Sequence, residues 1–191
     1  MNFLHYSSPI GLLRIVADDT GIVGLYFADE ARGSNVKIRG NEGSEEPPPM
    51  SDKLDNNNGL VASSGGVPTA AQQTILKLCC EELDLYFLHR LKKFSVPLHF
   101  IGTPFRQRVW SELLHIPYGT TVSYWQIAQR LGDEKAIRAV GTANGHNPIG
   151  IIVPCHRVIG SNGQLTGYAG GLWRKQWLLE WEGALGLSLF K

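Results

Sequence analysis

The chain has 191 residues, 43% hydrophobic and 18% charged, with a formal net charge of +1, the make-up of an ordinary globular protein of one large domain or a small one joined to a medium one. No apolar run is long enough to cross a bilayer, and the opening Met-Asn-Phe-Leu-His-Tyr-Ser has no charged segment followed by an apolar one, so neither a membrane span nor a secretory leader is expected. Three cysteines, an odd count with no Cys-x-x-Cys or His-x-x-x-His pattern, argue against a disulfide framework and a metal site and for a reducing, cytoplasmic setting.

Residues 3–7, 11–17 and 22–28 read as short strands. The cluster Asp18-Asp19-Thr20-Gly21 between the second and third marks a hairpin turn, so a small antiparallel sheet is expected. Residues 29–68 change character. They are rich in Gly, Ser, Asn and Pro and contain no aromatic residue, and they cannot bury enough apolar area to offset their ordering entropy. The stretch reads as a flexible surface insertion, with a partner-binding loop as the alternative. From Thr69 to about His89 the pattern is helical, with Ile75, Cys79, Leu83 and Tyr86/Phe87 on one face. Cys79 is expected in the core and Cys80 off that stripe. Residues 92–100 read as a strand-like crossover containing Pro97.

Composition shifts near Gly102. Residues 1–101 hold nine Lys/Arg against twelve Asp/Glu, a net of −3, and residues 102–191 hold nine against five, a net of +4. A basic C-terminal half suits a polyanionic partner, although four excess charges are common on neutral enzymes. The domains are therefore drawn as 1–101, a sheet-and-helix unit, and 102–191, a mainly helical one. Thr103-Pro104 is an N-cap with Pro at the first helical position. Phe105, Val109, Leu113 and Ile116 follow on one face up to Pro117-Tyr118-Gly119. Ser123 with Gln126 has the form of a capping box for a helix to Leu131. Gly132 ends that helix and Asp133 starts another, to about Gly145.

Two short helices around a Gly132-Asp133 turn form a helix-turn-helix pattern or, equally, an interior helical hairpin. The second carries Lys135 and Arg138 and has a small middle: Ala139, Gly141, Thr142, Ala143 and Gly145. Such a helix can lie close to a nucleic-acid backbone. Next, Ile151-Ile152-Val153 reads as a buried strand stopped by Pro154. Cys155 then stands at the strand's mouth with His156 and Arg157 beside it, cations that favour the thiolate, the nucleophilic form. A Cys-His pair alone is equally a structural core cysteine with an adjacent histidine. Ser161-Asn162-Gly163-Gln164 is a turn with a hairpin flavour. In Thr166-Gly167-Tyr168-Ala169-Gly170-Gly171, the glycines around Tyr168 allow close approach to a flat ligand, or make a plain flexible loop. The last helix, 172 to about 183, carries Trp173, Trp177, Leu178 and Trp181, with Glu182 near its end.

Pro154-Cys155-His156-Arg157-Val158 resembles the active-site signature of the O6-alkylguanine-DNA alkyltransferases, or methylated-DNA–protein-cysteine methyltransferases. The resemblance extends over about residues 102–184. It includes Gly102-Thr103-Pro104-Phe105, Ile116-Pro117-Tyr118-Gly119, Val122-Ser123-Tyr124, Arg138-Ala139-Val140-Gly141, Asn147-Pro148, Gly167-Tyr168-Ala169-Gly170-Gly171 and Trp177-Leu178-Leu179 with Glu182-Gly183, in the family's order. The N-terminal part fits more loosely, and the 29–68 insertion departs from compact members. The resemblance implies an α+β fold with a small N-terminal β-sheet-plus-helix domain and a C-terminal winged helix-turn-helix-like alkyltransferase domain.

It also implies roles. Cys155 is the alkyl acceptor, His156 its base through an ordered water, Glu182 the carboxylate that orients His156, and Tyr124 the donor to the leaving guanine. Arg138 enters the base stack, with Ser123, Ala139, Gly141 and Thr142 beside it at the DNA. Asn147 ties the recognition helix to the active-site segment, and Val158, Tyr168, Ala169 and Gly170 supply the pocket wall and backbone contacts to the base. The implied partner is double-stranded DNA carrying O6-alkylguanine, bound through its minor groove by a monomer with no cofactor and no metal; O4-alkylthymine is a further expected substrate.

The chemistry accords with these residue types. An O6-alkyl group is hidden in the duplex, so the nucleotide must be extruded, at roughly a few kcal/mol of unstacking. Displacement at saturated carbon needs a positioned thiolate, which a Cys–His–Glu relay supplies. The thioether product offers water no carbonyl to attack, so one event per molecule is expected. Two other readings compete: a DNA-binding sensor without chemistry, which needs no thiol, and a cysteine hydrolase, which leaves the helix-turn-helix unexplained and turns over many times.

Overall fold

The structure, a computed structural model, describes residues 1–28 and 67–185; the expected insertion at 29–68 falls almost wholly outside them. Strands β1 (Asn2–Ser8), β2 (Gly11–Ala17) and β3 (Ile22–Phe27) form the antiparallel meander read from the sequence. Leu13, Ile15 and Ala17 of β2 are buried while Leu12 and Arg14 face out, the period-two alternation of a half-covered sheet. The Asp18 carboxylate accepts the backbone N–H groups of Thr20 and Gly21 and so closes the β2–β3 turn.

Helix α1 (Ala70–Phe87) covers the inner face. Thr69 and Gln72 form a capping box at its start, and Cys79 lies in its buried stripe as expected. Strand β3 is buried along nearly its whole length because its outer edge is also used. Leu98 bridges Ile22, and Ile149 bridges Leu25, both in parallel sense. The expected crossover at 92–100 is thus a single bridge rather than a strand.

Helices α2 (Pro104–Leu113), α3 (Tyr124–Arg130), α4 (Ile137–Gly145) and α5 (Leu172–Trp181) belong to the C-terminal half. The caps expected at Thr103 and Ser123 are present, the latter with a full capping box to Gln126. The third expected helix starts differently. Asp133 caps a 3-10 turn, Glu134–Ala136, and the α-helix begins only at Ile137. The buried Trp110 indole donates to the Ala143 carbonyl at 2.9 Å and fixes α4 against α2.

The expected strand at 151–153 is not formed. Ile149 makes one bridge, residues 150–152 turn tightly with Ile151 at φ +66°, and Cys155–Arg157 is a single 3-10 turn. Asn147 is the physical reason. Its Oδ1 accepts the Ile149 N–H, and its Nδ2 donates to the Val153 carbonyl at 2.8 Å, so a side chain takes ladder positions. An apolar run of three cannot distinguish a strand from a buried turn. The strand comes after the cysteine: β5 (Val158–Ile159) pairs in parallel with β4 (Val122–Ser123). The turn at 161–164 closes on Gly160 but leads to no paired strand among the described residues.

Candidate active site

Cys155 opens the 3-10 turn, is 6% exposed and lines a narrow cleft. Its walls come from both halves of the chain: Leu25, Tyr26 and Phe27 from β3, and Gly167, Tyr168, Ala169 and Gly170 from the glycine loop, with Asn144 and Asn147 beside the thiol. The edge bonding explains this. The Leu25 N–H donates to the Pro148 carbonyl and the Gly150 N–H to the Leu25 carbonyl, which brings the N-terminal sheet against the active-site turn.

Behind the thiol, His156 and Glu182 are fully buried, with Nε2 and Oε1 3.0 Å apart. The carboxylate also accepts Arg157 Nε at 2.7 Å and Nη2 at 2.9 Å, the Tyr86 hydroxyl at 2.8 Å and the Gly119 N–H at 3.4 Å. Burial by itself would raise the Glu182 pKa. The charge and hydrogen bond of His156, then those of Arg157, outweigh it and hold the group well below the ordinary carboxylate range. Burial lowers the His156 pKa, opposed by Glu182 and aided by the cations Arg157 and Lys175. A neutral imidazole facing a carboxylate carries its proton on Nε2, which leaves Nδ1 as an acceptor. Nδ1 is buried and has no hydrogen-bond partner among the described residues. Gly119 permits the crowding at Glu182: it has φ +73°, and a Cβ there would lie 2.8 Å from the Glu182 carbonyl oxygen.

The cations differ from expectation. Arg157 does not face the thiol; its fork is spent on Glu182, and its Nη1 donates to the Ile116 carbonyl. A positive charge in electrostatic contact with Cys155 comes from Lys175, which the sequence reading did not single out. It is fully buried, and its Nζ donates to the carbonyls of Val158 and Thr166, each at 2.7 Å. Burial lowers its pKa to about 8, while the charge of an ionised Cys155 acts the other way. Asn144 was also missed. Its Nδ2 donates to the Cys155 carbonyl at 3.4 Å, and it helps hold the Tyr124 hydroxyl. Both residues lie on buried stripes, Val140–Ala143–Asn144 in α4 and Lys175–Leu178–Leu179–Glu182 along α5, and helical spacing alone would have pointed them inward.

Tyr124 begins α3 beside the cavity, half-buried. Its oxygen accepts from Thr166 Oγ1 at 3.3 Å, so its own proton remains available. Burial pushes its pKa up, hydrogen bonds from Thr166 and Asn144 partly oppose this, and the hydroxyl stays a donor at neutral pH. Gly141 faces the Tyr124 ring, with a notional Cβ 3.9 Å away. Arg138, Ala139 and Thr142 lie on the exposed side of α4, and Ser123 is taken up by its capping role. Asn147, Tyr168, Ala169 and Gly170 line the cavity, but Val158 does not. Its side chain is fully buried in β5 opposite Val122, and its carbonyl accepts from Lys175 Nζ. Among the described residues no group of three or more His, Cys, Asp or Glu could hold a metal ion, and no helix is long and apolar enough to cross a membrane.

Two family models match the chain: "6-O-methylguanine DNA methyltransferase, ribonuclease-like domain" over residues 3–100 and "6-O-methylguanine DNA methyltransferase, DNA binding domain" over residues 104–184. A methylated-DNA–protein-cysteine methyltransferase of Methanosarcina acetivorans is 38% identical over 184 residues, 96% of this chain and 99% of the relative. One from Mycobacterium bovis is 60% identical over 102 residues, 53% of this chain; that match spans 62% of the relative's own length. A crystal structure of Mycobacterium tuberculosis OGT in complex with DNA superposes with a TM-score of 0.72 at 37% identity, covering 95% of this chain and 92% of that one.

Proposed function

Because the chain belongs to the 6-O-methylguanine DNA methyltransferase family, we propose that it repairs DNA directly, moving the alkyl group of O6-alkylguanine irreversibly onto Cys155. The observation that carries this reading is the buried Glu182–His156 pair, which leaves an imidazole acceptor nitrogen, Nδ1, on the residue next to the thiol. A water bonded to Nδ1 and the thiol passes the proton, and Lys175 stabilises the thiolate. The thiolate attacks the alkyl carbon in line, the carbon–O6 bond breaks, and the departing guanine takes a proton from Tyr124. The cavity between β3 and the glycine loop holds the extruded base. Asn144 and Asn147 join α4 to the active-site turn, so a base entering over α4 meets a fixed thiol.

On the DNA side, α4 lies in the minor groove with Arg138 filling the place the nucleotide left, and Ala139, Gly141 and Thr142 allow close approach. O4-alkylthymine is a second substrate of the same displacement. The protein acts as a monomer without a cofactor. The thiol state of all three cysteines accords with a cytoplasmic setting.

The test is incubation with a duplex containing one O6-methylguanine, followed by mass analysis of tryptic peptides. The peptide holding Cys155 gains one methylene, and Cys155→Ala gains nothing at any peptide. Binding to the lesion without the mass gain would instead support a sensor.

A further inference from the structure

Arg174 takes no part in the steps above, yet it is 7% exposed and bonded across the whole fold. Its Nε donates to the Ile10 carbonyl in the β1–β2 turn at 2.8 Å, and its Nη1 to the Gly170 carbonyl on the cavity wall at 2.9 Å. The guanidinium lies 4.2 Å from the Phe27 ring centroid, at the end of β3, and 4.5 Å from that of Trp173. Gly11 leaves room for it: a Cβ there would lie 3.1 Å from Nη2. The wall itself is pressed on Phe27, because a Cβ on Gly170 would come within 2.5 Å of the ring.

A buried cation that only filled space between two rings could be replaced by an apolar side chain. Two carbonyls from segments 160 residues apart, reached by one planar fork stacked between rings, need arginine in particular. Lys175, the next residue, holds the same loop at Thr166 but works from the thiol side. The two neighbours on α5 therefore divide the loop between them.

We propose that Arg174 is a positioning residue that clamps the wall Tyr168–Gly170 to the N-terminal sheet and thereby sets affinity for the base, separately from thiol activation. The inference rests on reading the cavity as the base pocket. Without the clamp, a base must order the wall as it binds, and that cost appears as weaker binding.

The experiment compares wild type, Arg174→Met and Arg174→Lys in three measurements: saturation kinetics with free O6-benzylguanine, iodoacetamide alkylation of Cys155, and amide hydrogen exchange. In Arg174→Met the half-saturating concentration rises about 10-fold, the limiting rate and the iodoacetamide rate stay within about 2-fold, and exchange quickens in 166–171 and 8–12 but not in α3. Lysine, keeping the charge and one donor, recovers part of the loss; should the Met variant not fold, the Lys variant carries the same comparison. Unchanged half-saturation, iodoacetamide reactivity falling in step, or unchanged loop exchange would overturn the clamp. If wild type itself fails to react with O6-benzylguanine, the O6-methylguanine duplex assay decides the proposed function. Exchange at 166–171 then decides the clamp alone: faster exchange keeps it and unchanged exchange ends it.

Discussion

Glu182→Gln should lower stability by about 3–5 kcal/mol and slow alkyl transfer by at least about 100-fold. The carboxylate accepts from His156, from Arg157 twice, from Tyr86 and from Gly119, all on buried or half-buried groups. An amide offers one acceptor oxygen in place of two and leaves the Arg157 guanidinium buried without a counter-charge. It also presents a donor where His156 needs an acceptor, which scrambles the tautomer that keeps Nδ1 free to take a proton. The stability loss reads out in urea unfolding and the rate loss in single-turnover alkylation. Because the folded Glu182 pKa is depressed below its unfolded value, its stabilisation is complete above the unfolded pKa of about 4.3 and is lost as pH falls below it. Wild type should therefore lose stability on acidification below about pH 4.5 more steeply than Glu182→Gln. Pairing Glu182→Leu with Arg157→Met removes both charges and should restore part of the stability while leaving transfer slow, which separates holding the fold together from orienting the base.

Lys175→Met should slow the reaction of Cys155 by about 10- to 100-fold at pH 7, with much of the rate recovered at high pH. The ammonium is buried and in electrostatic contact with the thiol, and Arg157 is committed to Glu182. Removing this cation leaves a smaller thiolate fraction at neutrality, so the pH of half-maximal iodoacetamide reactivity moves up. Met also leaves the Val158 and Thr166 carbonyls without their donor, which loosens β5 and the glycine loop. Raising the pH repairs the first loss and not the second. A rate that stays low at every pH would assign Lys175 a purely structural part.

The sheet, the capped helices and the cysteine were legible because each is written locally. Alternation marks β2, Thr69, Thr103 and Ser123 announce their helices, and the turn cluster at 18–21 closes a hairpin. What was not legible depends on contacts remote in sequence. Ile151–Val153 has strand composition, but Asn147 captures its hydrogen bonds. Arg157 follows Cys155 and so reads as its cation, yet a carboxylate 25 residues on claims it. Helix α5 inverts the usual pattern. Trp177 and Trp181 stack on each other half-exposed, 4.8 Å between centroids, while Arg174 and Lys175 go inside. Only the tertiary fold supplies the carbonyls that make burying those two cations tolerable.

The most direct measurement of the central claim is a titration of a fixed amount of O6-methylguanine duplex with increasing protein, scoring the lesions remaining after the reaction has stopped. Repair should rise linearly with protein and cease at one lesion per molecule, with spent protein unable to react again. Repair that continues past one lesion per molecule, or lesions lost while the Cys155 thiol remains unmodified, would contradict it.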